Sequence, residues 1–548
     1  MMGLPWATVY IVIAGYAIAK STFGNFILLS ILVSLLKVFY NWVLYPDFFT
    51  PIKKIPSPPV SLLFRSPILV AGRSWITGNS DTVFLEAPYE HMRKWLENVP
   101  NDGLIRYYVS INLERILPVG PRALKEILVT KSYDFPKPEF IRASLKRLAG
   151  EHGLLLVEGD DHKKSKKNLL PAFAYRHVKE MYPIFWSKSI EMVRVMDEDL
   201  RKKADPTDNV LRMGAYASRA ALDIVGVAGM DHDFQSLRDP NNKLVRTYQN
   251  LMSEPPLYMK IIFLLTLLLG DPAVVHDLPL ERNRSIERSS ETIRDVARQM
   301  IRQKRAKWES GSSTAEDIDI VSVALRSGNF TEEELVDQMM TFLGAGHETT
   351  STALQWCVYV LCKHPDVQTR LREEIRANLP PISTENPQPP AATDIDNLPY
   401  LNAVCNEVLR YHPSVPATIR CASRDTTIIG EPIPKGTLFL IAPEIIGKSK
   451  ELWGPDADKF NPERWLGPGR ANNGGADSNY ANLTFLHGPR SCIGQGFAKA
   501  ELACMVAVVV GKYHMELKNP NAPLEIRQQA TVCPKDGVLA KFTNIEGW

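Results

Sequence analysis

Residues 331–364, TEEELVDQMMTFLGAGHETTSTALQWCVYVLCKH, read as one long amphipathic helix. Thr331 and Glu334 form a capping-box signature at its start. Pro365 follows its end, and proline cannot continue a helical hydrogen-bond ladder. At 1.5 Å per residue the segment is about 50 Å long, enough to cross a whole domain. Such an element needs other helices packed around it, and 281–308 carries a similar amphipathic pattern. Short β-rich pieces stand near TTIIG and TLFLIA, so the expected class is mainly α with small β-sheets. Polar, Pro- and Gly-rich loops fall at 204–209, 380–394 and 466–479. Neither an internal repeat nor a clear boundary after residue 60 is visible, so residues 61–548 are expected to form one large domain.

The middle of the long helix is unusual. Ala345, Gly346, His347, Glu348, Thr349 and Thr350 put glycine and polar groups where a core helix wants apolar ones. Glycine weakens the helix, and the Thr349 hydroxyl can bond back to the Ala345 carbonyl and open a local distortion. That would leave room for a small ligand and a water. The plainer alternative is a core helix with one polar spot. His347-Glu348 does not begin a zinc-protease motif, because Ser351 stands where a second histidine is required. GAGHET also lacks the glycine pattern of a dinucleotide-binding turn.

The first 45 residues differ from the rest. Residues 4–19 carry no charge, Lys20, Gly24 and Asn25 interrupt them, and an apolar run resumes at 26–45. Together the two stretches exceed the ~20 residues one span needs. They are expected to form an N-terminal transmembrane anchor, as a hairpin or as one span plus an interfacial segment. A cleaved signal peptide is the alternative, but no basic leader precedes it and a second apolar stretch follows at once. Residues 46–60 include PIKKIPSPPV, a proline-stiffened connector whose Lys53 and Lys54 suit a cytoplasmic face. IIFLLTLLL at 261–269 is too short to span and reads either as core or as a patch dipping into the membrane.

With 64 Lys and Arg against 61 Asp and Glu, the net charge of +3 gives no reason to expect nucleic acid as a main partner. The seven cysteines, all in the second half, are odd in number and lack a CxxC pair. This argues against both a disulfide framework and a structural zinc site.

One cysteine is framed unlike the others. In FLHGPRSCIG, 485–494, Gly488 and Gly494 would let backbone approach a flat ligand, and Arg490 offers a fixed cation to an anionic group. The helix that reads on from Cys492 would stabilise a thiolate at its N-terminus. Such a thiolate can be the axial ligand of a haem iron. A buried inert cysteine is the ordinary alternative, but it leaves Phe485, Gly488, Arg490 and Gly494 unexplained.

The pattern Phe-x-x-Gly-x-Arg-x-Cys-x-Gly resembles the haem-binding loop of cytochrome P-450 monooxygenases, and the resemblance spans roughly residues 50 to 545. It implies the cytochrome P-450 fold behind the membrane anchor and haem b as cofactor, with Cys492 on the iron, Arg490 at a propionate and Phe485 shielding the sulfur. The AGHETT segment resembles the family's oxygen-activation motif, which implies that Ala345 and Gly346 line the haem and that Glu348 and Thr349 relay protons. Glu407-Val-Leu-Arg410 and Arg464 of FNPERW resemble the family's Glu-x-x-Arg pair and its partner arginine, a structural lock. Arg420 matches a second propionate arginine. In GDDHKKSKKN, His162 and Lys166 stand where the family usually has tryptophan and arginine. There the charge is kept, but the forked geometry of arginine is lost. The KKSKK run is either a docking face for an acidic electron donor or a solvated helix face.

The resemblance further implies a monooxygenase that puts one oxygen atom of O2 into a hydrophobic small molecule in a secondary-metabolite pathway. Electrons would come from NADPH through a separate reductase, with cytochrome b5 as a further donor, and the location would be the cytosolic face of the endoplasmic reticulum membrane. The alternatives are a haem-thiolate isomerase or dehydratase, a fatty-acid hydroxylase, and a non-enzymatic haem or lipid binder.

Overall fold

The computed structural model describes residues 29, 31–34, 36, 39–58, 88–109, 113–205, 207–269, 272–310, 319–383 and 388–548. The apolar stretch 4–19, most of 26–38 and the end of the connector therefore lie outside the described residues. Among the described residues no helix is long and apolar enough to cross a membrane, so the expected anchor has no support in the fold.

Contacts divide the chain at three points where the sequence offers no boundary. One compact unit runs to Pro138 and includes Ala417–Ile445; the other comprises Glu139–Pro416 and Ile446–Trp548. The first unit is built on a four-stranded sheet. β1 (Leu104–Val109) pairs antiparallel with β2 (Leu113–Pro118), Leu104 opposite Pro118. β3 (Thr418–Cys421) pairs antiparallel with β4 (Leu438–Ile441), and β4 lies parallel to β2 with Leu438 opposite Arg115. Ile105, Ile116, Leu117 and Phe439 are wholly buried, and the Phe135 ring meets Phe439 edge-on at 5.2 Å. Ile116 and Leu117 are consecutive, so they point to opposite faces of β2, and both faces are covered at this end of the strand.

The second unit is mainly helical. Its helices include α1 (Glu139–Ala149), α2 (Gly159–Leu169), α3 (Tyr182–Arg201), α4 (Met213–Met230), α5 (Lys243–Leu251), α6 (Leu257–Leu269), α7 (Glu281–Glu309), α8 (Glu332–Lys363), α9 (Pro365–Asn378), α10 (Pro399–Tyr411) and α11 (Gln495–Lys512). The central element is α8. Its start is closed reciprocally: Thr331 Oγ1 accepts from Glu334 N, and Glu334 Oε2 accepts from Thr331 N at 2.7 Å. Leu335, Val336, Met339, Met340, Leu343, Leu354 and Leu361 are at most 2 % exposed, so α8 is a core helix on nearly every side. It packs on α1, α4, α7 and α11.

At Gly346 α8 lies close against α4: a Cβ there would stand 2.7 Å from a Val225 methyl. Two small antiparallel pieces complete the unit. A strand at Val210–Arg212 and β5 (Tyr513–Leu517) flank β8 (Leu539–Asn544), while β6 (Ile526–Gln528) pairs with β7 (Val532–Pro534). The 261–269 run belongs to α6, which exposes Leu257, Ile261 and Leu265 at helical spacing and buries Thr266.

Candidate active site

The cysteine loop closes on itself before α11 begins. Cys492 N donates to Phe485 O at 2.9 Å, Ser491 N to Gly488 O at 3.1 Å, and Gly488 takes the left-handed φ of +77° that the turn requires. Phe485 is half-buried against the core. Thr484 Oγ1 donates to Leu409 O at 2.8 Å and ties the loop to the end of α10. Gly494 precedes α11, and a Cβ there would meet the Phe173 ring at ordinary van der Waals distance.

The Cys492 residue is accessible, unlike Cys357, Cys405, Cys504 and Cys533, yet burial by surrounding protein pushes its thiol up. Cys492 thus presents surface to its surroundings while protein packs around its thiol. The Gly494 N–H and the Lys166 ammonium act the other way and favour the thiolate.

Behind the loop stands an ion pair at the C-terminal end of α10. Glu407 and Arg410 have no exposed side-chain area. Glu407 Oε1 accepts from Arg410 (2.7 Å), Asn461 N (2.8 Å) and Arg464 Nε (3.1 Å), while Oε2 accepts from Arg410 Nε (2.7 Å) and Trp465 Nε1 (2.9 Å). The remaining Arg410 N–H groups donate to the carbonyls of Gly447, Ala457 and Lys459. Arg464 also donates to Asp456. Two buried cations sharing one carboxylate are tolerable because hydrogen bonds replace the lost water.

On α8, Ala345 is exposed in the middle of an otherwise buried helix, and Gly346, Glu348 and Thr349 are part-exposed beside buried His347 and Thr350. This face of α8 is therefore left partly uncovered by its neighbours. Thr349 Oγ1 donates to Ala345 O at 2.9 Å, the back-bond expected from the sequence, but the backbone stays α-helical throughout Glu332–Lys363 and no break opens. His347 Nδ1 donates to Leu343 O at 2.7 Å, which fixes the tautomer; burial holds this imidazole below its ordinary pKa, so it is neutral at neutral pH. Glu348 Oε1 accepts from Thr531 Oγ1 at 2.9 Å, and Arg527 lies 3.9 Å away. Thr531 and Arg527, beside β7 and in β6, are positioning groups that the sequence reading missed. They lie far along the chain from Glu348, where no spacing rule connects them.

Arg490 is buried and pairs with Glu158. Arg420, in β3, is 3 % exposed, and among the described residues its hydrogen bonds run only to Thr418 Oγ1 and Ile419 O. Burial lowers its guanidinium to about 10. Among the described residues no carboxylate pairs with it, and an uncompensated buried cation is what an anionic ligand group would relieve. His162 is buried on α2. One turn on, Lys166 donates to Pro489 O at 2.7 Å, Ser491 O at 3.2 Å and Ser491 Oγ at 3.4 Å. Cys492, exposed at the start of a helix, fits haem, whose iron it would take, and the Arg490 guanidinium of the same loop suits a propionate.

The comparisons agree with this chemistry. The family model described as cytochrome P-450 matches residues 112–542. The chain is 53 % identical over 532 residues to cytochrome P-450 monooxygenase sphH of Aspergillus fumigatus, covering 97 % of this chain and 95 % of that one. It is 38 % identical to monooxygenase FSL4 of Gibberella zeae (93 % and 92 % covered) and 36 % identical to FUM15 of Gibberella moniliformis (91 % and 90 %). A cysteine loop of this construction, a core helix with an open polar face and a match across most of the length place the chain in the cytochrome P-450 family.

Proposed function

We infer that the protein is a haem-thiolate monooxygenase that puts one atom of O2 into a hydrophobic small molecule. The observation that carries this reading is Cys492, accessible yet wrapped, in a loop closed by its own backbone hydrogen bonds. When bound, haem supplies the oxygen activation. The chain supplies orientation and protons. Cys492 would hold the iron, and Arg490 would hold a propionate. Glu348, oriented by Thr531, is the acid at the open face of α8. Thr349 holds its hydroxyl proton on Ala345 O and can hand it on by rotating about χ1.

A secondary-metabolite pathway is our reading of the substrate context, supported by relatives from filamentous fungi. Electrons then reach the site from NADPH through a separate reductase, with cytochrome b5 as a second donor. The charge-free stretch 4–19 and the run 26–45 support a membrane anchor, with the body on the cytosolic face of the endoplasmic reticulum. The apolar stripe on α6 adds a surface suited to lipid.

The test is the spectrum of detergent-solubilised, dithionite-reduced protein under carbon monoxide. The red-shifted Soret band of thiolate ligation is expected in the parent, and Cys492→His should move it to the histidine type. Folded protein without haem, or a parent with only the histidine-type band, would overturn the assignment. Release into alkaline carbonate from microsomes would overturn the anchor.

A further inference from the structure

Lys166 occupies a position from which a haem propionate would ordinarily be expected to draw a cation, yet the structure points it elsewhere. An ammonium has three N–H donors. Those of Lys166 meet three acceptors on the cysteine loop: Pro489 O, Ser491 O and Ser491 Oγ. Nothing is left over for a further anion unless one of these bonds is given up. The acceptors flank Arg490, whose own side chain goes to Glu158, so the two cations next to each other in this corner do different work. Lys166 binds α2 to the loop, more than 320 residues away in sequence, immediately before the sulfur.

The surroundings sharpen this. Lys166 is half-buried, and its ammonium bonds the carbonyl of Ser491, the residue immediately before Cys492, so its charge stands beside the thiolate. A lysine ammonium is a compact point charge, unlike the spread guanidinium of arginine. Charge and hydrogen bonding around a ligating sulfur tune the electron density that it donates to a metal.

We propose that Lys166 is a positioning residue for the iron ligand: it staples the carbonyls of Pro489 and Ser491, and its charge beside Cys492 makes the haem easier to reduce. The proposal rests on Cys492 being the haem ligand. A positive charge near the sulfur draws density away from the iron and stabilises the ferrous state, so neutralising it should lower the reduction potential.

The experiment uses the full chain, purified with haem in detergent, as parent, Lys166→Arg, Lys166→Gln and Lys166→Met. The reduced, carbon monoxide-bound spectrum of the parent comes first. If the parent lacks the thiolate-type band, the ligand assignment fails and the proposal falls with it, before any variant is compared. If the band is present, potentials are measured by dye-coupled reductive titration, and the decay of the band is followed at a fixed elevated temperature. Lys166→Met is expected to show a more negative potential and a several-fold faster loss of the band. Lys166→Gln, which keeps donors without charge, should retain the slower decay but share the lowered potential, and Lys166→Arg should stay near the parent in both. Parent-like potentials in both neutral variants would overturn the electrostatic role. Parent-like decay in Lys166→Met would overturn the staple. Should Lys166→Met fail to load haem, the potential of Lys166→Gln alone decides the electrostatic role, and Lys166→Ala, which also lacks donors, replaces it in the decay measurement, where parent-like decay would overturn the staple.

Discussion

Glu407 and Glu501 are both wholly buried, but Glu407 accepts five hydrogen bonds while among the described residues neither Glu501 oxygen has a hydrogen-bond partner. Glu407 sits behind the cysteine loop, in an ionic knot where two guanidinium groups and an indole replace water. Glu501 lies on α11, which packs on α8, and Thr350 on that helix has an unpartnered hydroxyl as well. Burial pushes the Glu501 carboxyl well above the usual carboxylate range, and the Thr350 hydroxyl nearby, outside hydrogen-bond geometry, does little to offset it. The same side chain at the same depth is thus a charged structural centre in one place and a neutral acid in the other. Saturation makes the first region rigid. The second, one residue from Thr349, keeps its polar capacity unspent.

The contrast can be broken most severely at the knot. Glu407→Ala leaves two buried cations without their carboxylate and should cost about 3–5 kcal/mol, seen as a lower melting temperature and poor haem retention. A variant that melts like the parent would mean that the knot contributes little. Thr349→Ala should do the reverse. It removes a part-exposed hydroxyl whose one bond is to Ala345 O, so stability should change by no more than about 1 kcal/mol. Product formed per NADPH consumed should fall sharply, and unchanged coupling would remove Thr349 from the proton path.

Glu501→Gln tests the neutral acid through pH. The folded protein holds this proton while the unfolded chain releases it above the ordinary carboxylate pKa. The unfolded state therefore binds fewer protons across that window, and the contribution of Glu501 to stability falls as pH rises. The melting temperature of Glu501→Gln should gain on the parent between about pH 5 and about pH 8. A difference independent of pH would show that Glu501 is ionised. The smallest effect is expected from Thr531→Val, which removes one hydrogen bond to Glu348 worth about 0.5–1.5 kcal/mol. It should move the pH profile of turnover more than the melting temperature.

Local rules carried much of this structure. The capping box at Thr331, the stop at Pro365 and the back-bond from Thr349 to Ala345 all follow from spacings of three or four residues. The i, i+3 pair Glu407–Arg410 was equally legible. Its meaning was not: Trp465 and Asn461 complete the knot from more than fifty residues away, and no pattern links them to α10. The same limit hid Thr531 behind Glu348. The requirement for glycine at 346 was visible as a helix weakness, whereas its cause, the Val225 side chain of α4, is a tertiary contact. Lys166 was legible as a charge, but its acceptors are backbone carbonyls, which carry no sequence signal.

The parallel pairing of β2 with β4 has a consequence for the newborn chain. Arg115 of β2 leaves the ribosome long before its partner Leu438 exists. At about 5–20 residues per second, the roughly 320 residues between them take about 15–60 s to make. Through that interval one edge of β2, with wholly buried Ile116 and Leu117 in its mature form, is an open strand able to pair with a neighbouring chain. Nascent chains of this protein should therefore lean on chaperones until β4 emerges, and slowing translation between the two strands should lower the yield of haem-loaded protein.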